Sequence, residues 1–402
     1  MTYDTIIIGA GAFGLSLAFH LAQKAKRVAL VDRFHAASQT SARAAGMFKQ
    51  IQSTRTRTQI AVLSIHKLQN FEKETGVAPP VFGIGSLMIA RNPAHAAYVR
   101  REVEQANAWG ANVELVGNAE AHRRMPMLET DNLLAAAYSA DPFVQEPTEL
   151  LRAYLDACNT HGVTLIENSP ATSINMFKNE VRGVTTVKGE LDAPIVIDAA
   201  GAWARAVSLT ANANLPIVPV RHQLYITHPL MGVDSQMPMI RFVDSAVYVR
   251  PSRGGLMVGG FEADPMPLDP RSRENFSIEQ MPLDFSILEK QTTTIQDNLP
   301  ALRDTTIQEH RGGLFTMTRD GQFLAGPIPN VRGLWALTGC NGSGYSSSLA
   351  LGQVMAEWIV DGEPSIDLSE FSPVRFRNSN LTDKELTAAC VWQYAHYYDP
   401  TT

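Results

Sequence analysis

Thr5-Ile-Ile-Ile-Gly-Ala-Gly-Ala-Phe-Gly14, continued at Val28-Ala-Leu-Val-Asp32, runs in the order strand, glycine turn, helix, strand, acid. That order grips the ADP half of a dinucleotide. Gly9 permits the tight turn, Gly11 lets backbone approach a pyrophosphate, and Gly14 lets the helix pack closely on the strand. The pyrophosphate then rests on unpaired amides at the positive end of the helix. Asp32, closing the second strand, is placed to accept hydrogen bonds from a ribose diol. Ile6 to Leu21 does not read as a signal peptide or membrane span. It lacks a basic flank, three glycines with Ser16 and His20 interrupt it, and Gln23-Lys24 soon follows.

Around this stretch, 402 residues with 45% hydrophobic composition exceed what a single core usually needs, so two domains are expected. A net charge of −6 without a dense basic run argues against a nucleic-acid surface. The three cysteines, Cys158, Cys340 and Cys390, are far apart and suit a reducing compartment. The ten histidines show no metal-ligand spacing, so no metal is expected. No other segment approaches the roughly 18 uninterrupted apolar residues of a span, and a soluble cytoplasmic protein is the expectation.

Along the chain, Ala37 to Gly46 is small and loop-like, Ile60 to Phe71 has helical periodicity, and Ala94 to Trp109 reads as an amphipathic helix. A helix from Pro147 to Cys158 leads into short strands and then to Ile195-Val-Ile-Asp-Ala-Ala-Gly201. Between Pro216 and about Pro300, alternating strands separated by proline-rich loops predict a mostly antiparallel sheet. Gly333 to Tyr345 returns to an apolar strand with a glycine-rich turn, followed by a long helix. The expected fold is therefore α/β with two interleaved domains. Residues 1–80, 141–215 and 310–376 form a Rossmann-like parallel-sheet domain, and 81–140 with 216–309 a mostly antiparallel substrate domain. Residues 377–402 form a tail with Trp392, Tyr394, Tyr397 and Tyr398, which reads either as a strap on its own surface or as a subunit contact.

Four blocks in order carry a resemblance. They are the N-terminal fingerprint, Ile195 to Trp203, Val247-Tyr-Val-Arg-Pro251 with Gly254 to Gly260, and Met317 to Gly321 with Gly339-Cys-Asn-Gly-Ser-Gly-Tyr345. Together they resemble the D-amino-acid oxidase family of flavoproteins, the group with glycine oxidase, sarcosine oxidase and dimethylglycine dehydrogenase-like proteins. The resemblance spans residues 3 to about 376 and implies FAD. It places the cofactor against Gly9, Gly11, Phe13, Gly14, Asp32, Arg33, Thr40, Ser41, Arg43, Ala44, Ala45, Gly46, Ala200, Gly201, Trp203, Gly313, Asn341, Gly342, Ser343, Gly344 and Tyr345. Arg43 and Gly313 stand near where relatives carry the histidine or cysteine that bonds the flavin, so non-covalent FAD is expected.

The implied reaction is oxidation of a C–N bond in a secondary amine or amino acid, with hydride passing to flavin N5 and the imine hydrolysing. Oxygen or another electron acceptor completes the cycle, and a homo- or hetero-oligomer is left open. Two alternatives remain: an FAD-dependent hydroxy-acid dehydrogenase, and a flavin-carrying subunit of a heteromeric opine- or sarcosine-oxidase-like complex. Tyr248, Arg250 and His222 are the candidate catalytic residues. Tyr248 stands where relatives place a carboxylate-contacting tyrosine, Arg250 shares its strand face, and His222 or its neighbour Arg221 falls near a substrate-binding position. Phe315 replaces a family arginine that binds the substrate carboxylate, which favours a bulkier or more apolar amine. Met257 replaces an oxygen-activating lysine.

Overall fold

The computed structural model describes residues 2–273, 275–378 and 380–401. Its first sheet has six strands in the order Leu324–Pro327, Leu334–Thr338, Val196–Asp198, Thr5–Ile8, Val28–Val31 and Thr164–Ile166. All neighbours run parallel except the first pair. The unbroken apolar run Ile6-Ile7-Ile8 follows from burial on both faces. Ile7 packs toward the helices Ala12–Gln23, Pro147–Thr160 and Gly344–Asp361, while Ile6 and Ile8 pack toward a three-stranded sheet of Ala171–Phe177, Glu180–Thr186 and Gly189–Asp192.

The second sheet has eight strands: Ile307–Met317, Val218–Thr227, Gly255–Gly260, Val247–Ser252, Met239–Phe242, Phe82–Ala90, Ala135–Val144 and Val113–Val116. It is antiparallel except where Met239–Phe242 runs parallel to Phe82–Ala90. Two strands cross the domain boundaries expected from sequence. Ile307–Met317 pairs with Val218–Thr227 from Ile307↔Thr227 to Met317↔Val218, although the sequence pattern places residues from 310 onward in the parallel-sheet domain. Ala135–Val144 likewise runs past residue 140 in the eight-stranded sheet. Of the two, Ile307–Met317 also reaches the cleft, through Gly313 to Thr316.

The tail lies against its own chain, as the first of its two readings expects, and does so as a helix. Asp383–Ala395 is a helix opened by a capping box of Thr382 and Glu385. Leu386, Cys390 and Tyr394, at i, i+4 and i+8, form its buried stripe. That stripe packs with Val220, Phe261 and Met317 on the cleft-side face of the eight-stranded sheet.

Candidate functional site

A cleft of about 440 Å³ runs from the first glycine turn to the eight-stranded sheet. At its first end the three early glycines are separated by what a side chain would meet. A Cβ on Gly9 would sit 2.4 Å from the Ala199 carbonyl oxygen, and one on Gly14 would sit 1.8 Å from that of Gly9. These two positions are closed by packing. A Cβ on Gly11 would meet only Ser41 Oγ, at 3.1 Å, and Gly11 lines the cleft. The turn thus leaves an open cradle at the helix N-terminus, as a pyrophosphate requires.

Asp32 holds this cradle in shape. Its Oδ2 accepts from the Ala10 amide at 2.6 Å and its Oδ1 from the Phe34 amide at 2.7 Å. Burial pushes its carboxyl up to about 6, while those two amides pull the other way. Each oxygen keeps lone-pair capacity for a ribose hydroxyl.

The middle of the cleft is a slot lined largely by backbone and small residues. Thr40, Ser41, Arg43, Ala44, Ala45 and Gly46 form one wall, Ala200, Gly201 and Trp203 another, and Gly313, Gly342, Gly344 and Tyr345 a third, with Phe13 and Arg33 toward the first end. A ring with extended flat faces fits a slot walled by backbone and small residues, so the residues present suit the FAD implied by sequence. Three of the expected cofactor contacts lie off the cleft. Gly14 is consumed by helix packing. Asn341 clasps its own turn, donating to the Gln322 and Gly339 carbonyls and accepting from the Thr318 amide. Ser343 accepts from buried Arg57 at 3.0 Å.

The far end is aromatic. His222, Tyr248, Phe261, Phe315 and Tyr398 line it, with one ammonium, that of Lys49. Phe315 stacks on His222 with ring centres 4.2 Å apart. His222 is fully enclosed: its Nδ1 lies 2.7 Å from Tyr394 Oη and its Nε2 2.8 Å from Tyr248 Oη. Burial, then the Lys49 charge, draws its pKa down to about 3, so the imidazole is neutral. Tyr248 reaches it by lying over Gly259, where a Cβ would come within 2.3 Å of the phenol oxygen.

Lys49 is 8% exposed and donates to Tyr397 Oη at 2.9 Å. Burial alone would raise the Tyr397 phenol, but Lys49 and Arg57 outweigh it and bring it down to about 7. Sequence reasoning missed Lys49, Tyr394 and Tyr397. The signal for Lys49 was a lysine directly following Phe48 in a stretch otherwise adjoining the pocket loop, and that for the tail was its aromatic spacing.

Arg250 differs from expectation. It shares a strand face with Tyr248 but does not line the cleft, and its guanidinium is fully buried and occupied. Nε donates to the Ala45 carbonyl at 2.7 Å, Nη1 to that of Pro251 at 2.7 Å and Nη2 to that of Gln145 at 3.1 Å. Burial first, then Arg311, draws its pKa down to about 9. It anchors the Ala44–Gly46 wall instead of meeting a substrate. The register of Val218–Thr227 is also resolved: Arg221 turns away into an ion pair with Glu262 at 2.7 Å, leaving His222 on the cleft. Met257 is buried against Leu224, Ile226 and Ala45.

No described helix is long and apolar enough to cross a membrane, and no metal-binding cluster of acidic, histidine and cysteine side chains occurs among the described residues. Comparison with known proteins gives the family. The family model described as FAD dependent oxidoreductase (DAO) matches residues 4–358. Human mitochondrial sarcosine dehydrogenase is 28% identical over 389 residues, covering 95% of this chain and 42% of the relative. Mitochondrial dimethylglycine dehydrogenase of Rattus norvegicus is 27% identical over 383 residues, covering 93% of this chain and 45% of the relative. The chain thus spans less than half the length of these relatives. The solved L-proline dehydrogenase from P. horikoshii superposes with a TM-score of 0.83 at 22% identity, covering 95% of this chain and 99% of that one, and shares its fold.

Proposed function

The chain belongs to the DAO family of FAD dependent oxidoreductases, and on that premise we propose that it oxidises the C–N bond of a carboxylate-bearing amine, a secondary amine or amino acid with an apolar body. One observation carries this reading: a cleft with the cofactor cradle at one end has at the other a lone ammonium, Lys49, and a phenol, Tyr248, inside aromatic walls. An ammonium and an O–H donor in a water-poor pocket select an anionic group, since charge-assisted hydrogen bonds are strongest there. The walls of Phe261, Phe315 and Tyr398 favour an apolar remainder.

FAD, when bound, supplies the acceptor, its N5 position, for the hydride leaving the carbon that bears the neutral amine, and the imine product hydrolyses. The cradle at Gly11 with Asp32 would hold its ADP half, and the slot of Thr40 to Gly46, Gly201, Trp203, Gly313 and Gly342 to Tyr345 its ring. Lys49 and Tyr248 orient the substrate carboxylate, and neutral His222 with the aromatic walls excludes water. Such chemistry needs orientation more than a strong base. Without an attachment residue at Arg43 or Gly313, the FAD is held non-covalently, and acid denaturation is expected to release it. A cytoplasmic location remains part of this reading, although the two relatives are mitochondrial by name.

Anaerobic flavin reduction tests the proposal with N-alkyl amino acids, D- and L-amino acids, the matching amines without a carboxylate, and 2-hydroxy acids. Carboxylate-bearing amines are expected to bleach the flavin. Reduction by 2-hydroxy acids alone would move the chain to hydroxy-acid oxidation. Failure of every amine with the purified chain would favour a flavin-carrying subunit.

A further inference from the structure

The tail helix ends at the substrate end of the cleft, and its Tyr394 is the outer member of a three-residue chain of short hydrogen bonds, Tyr394–His222–Tyr248. A neutral imidazole has one N–H and one bare nitrogen, so the chain can run in only two directions. In one, Tyr394 donates to Nδ1 and Nε2–H donates to Tyr248. In the other, Tyr248 donates to Nε2 and Nδ1–H donates to Tyr394.

The surroundings choose between them. Tyr394 is 0% exposed and lies behind His222, off the cleft. His222 Nδ1 is the hydrogen-bond partner of its oxygen among the described residues. If Nδ1–H pointed at that oxygen, the Tyr394 phenol hydrogen would need another acceptor. The Glu262 carboxylate faces Arg221 and Gln223 and forms no hydrogen bond with Tyr394. A buried donor left without an acceptor costs free energy that the opposite direction avoids. Tyr248 has no such constraint, because it lines the cleft and its hydrogen can point into it.

We propose that Tyr394, a positioning residue on the C-terminal helix, fixes His222 as the Nε2–H tautomer and so makes Tyr248 an obligate hydrogen-bond donor into the cleft. Tyr248 accepts from His222, its hydrogen is directed outward, and it presents only a donor toward an anionic group. The stack of Phe315 on His222 keeps the imidazole plane in line with both phenols. The tautomer stands on the hydrogen bonds alone, whereas its consequence for substrate capture rests on the reading of Tyr248 as a substrate contact.

The experiment is 15N NMR of the FAD-loaded protein labelled at histidine, with the His222 signals assigned by their loss in His222→Gln. The expected wild-type pattern is a protonated Nε2 and a bare, hydrogen-bonded Nδ1. In Tyr394→Phe the Nδ1 resonance should move toward the value of a nitrogen that accepts no hydrogen bond. A protonated Nδ1 in the wild type, or an Nδ1 resonance unmoved by Tyr394→Phe, overturns the proposal. Kinetics separate it from the functional reading. With a carboxylate-bearing substrate, Tyr394→Phe should raise KM severalfold at unchanged FAD content. The expected NMR pattern with an unchanged KM would keep the proton order, overturn the positioning role and remove Tyr248 from substrate capture.

Discussion

Lys49 is the residue on which the substrate reading turns, because a buried ammonium is retained only where something compensates its desolvation. Tyr397 is that partner in the structure, at 2.9 Å, and a substrate carboxylate would be a stronger one. Lys49→Met should therefore weaken capture of an anionic substrate by about 1.5–3 kcal/mol, roughly tenfold to a hundredfold in KM, with the FAD complement intact. Equal kinetics with and without the ammonium would remove it from the site. The pair also predicts a pH dependence. The Tyr397 phenol is brought down to about 7, burial raising it and Lys49 with Arg57 outweighing burial. Above that pH the phenolate competes with the substrate anion for Lys49, so KM should rise as pH passes upward through about 7. In Tyr397→Phe the rise should disappear, and its persistence would assign the titration to another group.

At the scale of elements, the strand–turn–helix unit at Thr5 to Asp32 was legible because its constraints are local: apolar strand, glycine positions and acid all fall within one short stretch. The helices at Pro93–Ala108 and Pro147–Thr160 were legible for the same reason, each with its own periodicity. The substrate end was not. It is assembled from Lys49, His222, Tyr248, Phe315 and the tail, and the partners of His222 stand 26 and 172 positions away in sequence. Nothing local says that Arg250 spends its donors on the carbonyls of Ala45, Pro251 and Gln145, because an arginine on the expected strand face reads alike whether it meets backbone or substrate. The legible unit carries its own test. Burial pushes Asp32 up to about 6 against the pull of the Phe34 and Ala10 amides. As pH falls through that value the carboxylate gains a proton and loses acceptor capacity toward a ribose diol, so the Kd for FAD should rise below about pH 6. Asp32→Asn should bind FAD weakly at every pH, with that step flattened. Quenching of FAD fluorescence by apoprotein measures both, and a pH-independent wild-type affinity would detach Asp32 from the cofactor.

Across the whole molecule the two sheets divide the work. The six-stranded sheet builds the cofactor cradle, the eight-stranded sheet faces the substrate end, and the C-terminal helix packs mainly on the second, with Asp383 also paired to Arg205 of the helix Ala204–Leu209. Loosening that helix should therefore separate the two functions. Leu386 is 4% exposed in the core that also holds Cys390, Tyr394 and Tyr398. Truncating a buried leucine to alanine costs about 2–5 kcal/mol through lost transfer energy and residual cavity, a large share of the roughly 5–15 kcal/mol that holds a folded domain together. Leu386→Ala is thus expected to lower Tm and to weaken flavin reduction by substrate, since Tyr394 and Tyr398 ride on the loosened segment. FAD affinity should stay near wild type, because the helix packs in the core with Val220 and Met317, and among the described residues no hydrogen bond or ion pair joins it to the cradle from Gly9 to Asp32. Titration of apoprotein with FAD, beside stopped-flow reduction, reads the two arms independently. Parallel losses in both would make the helix a general brace, whereas loss confined to reduction identifies the chain's last helix as a working wall of the substrate pocket.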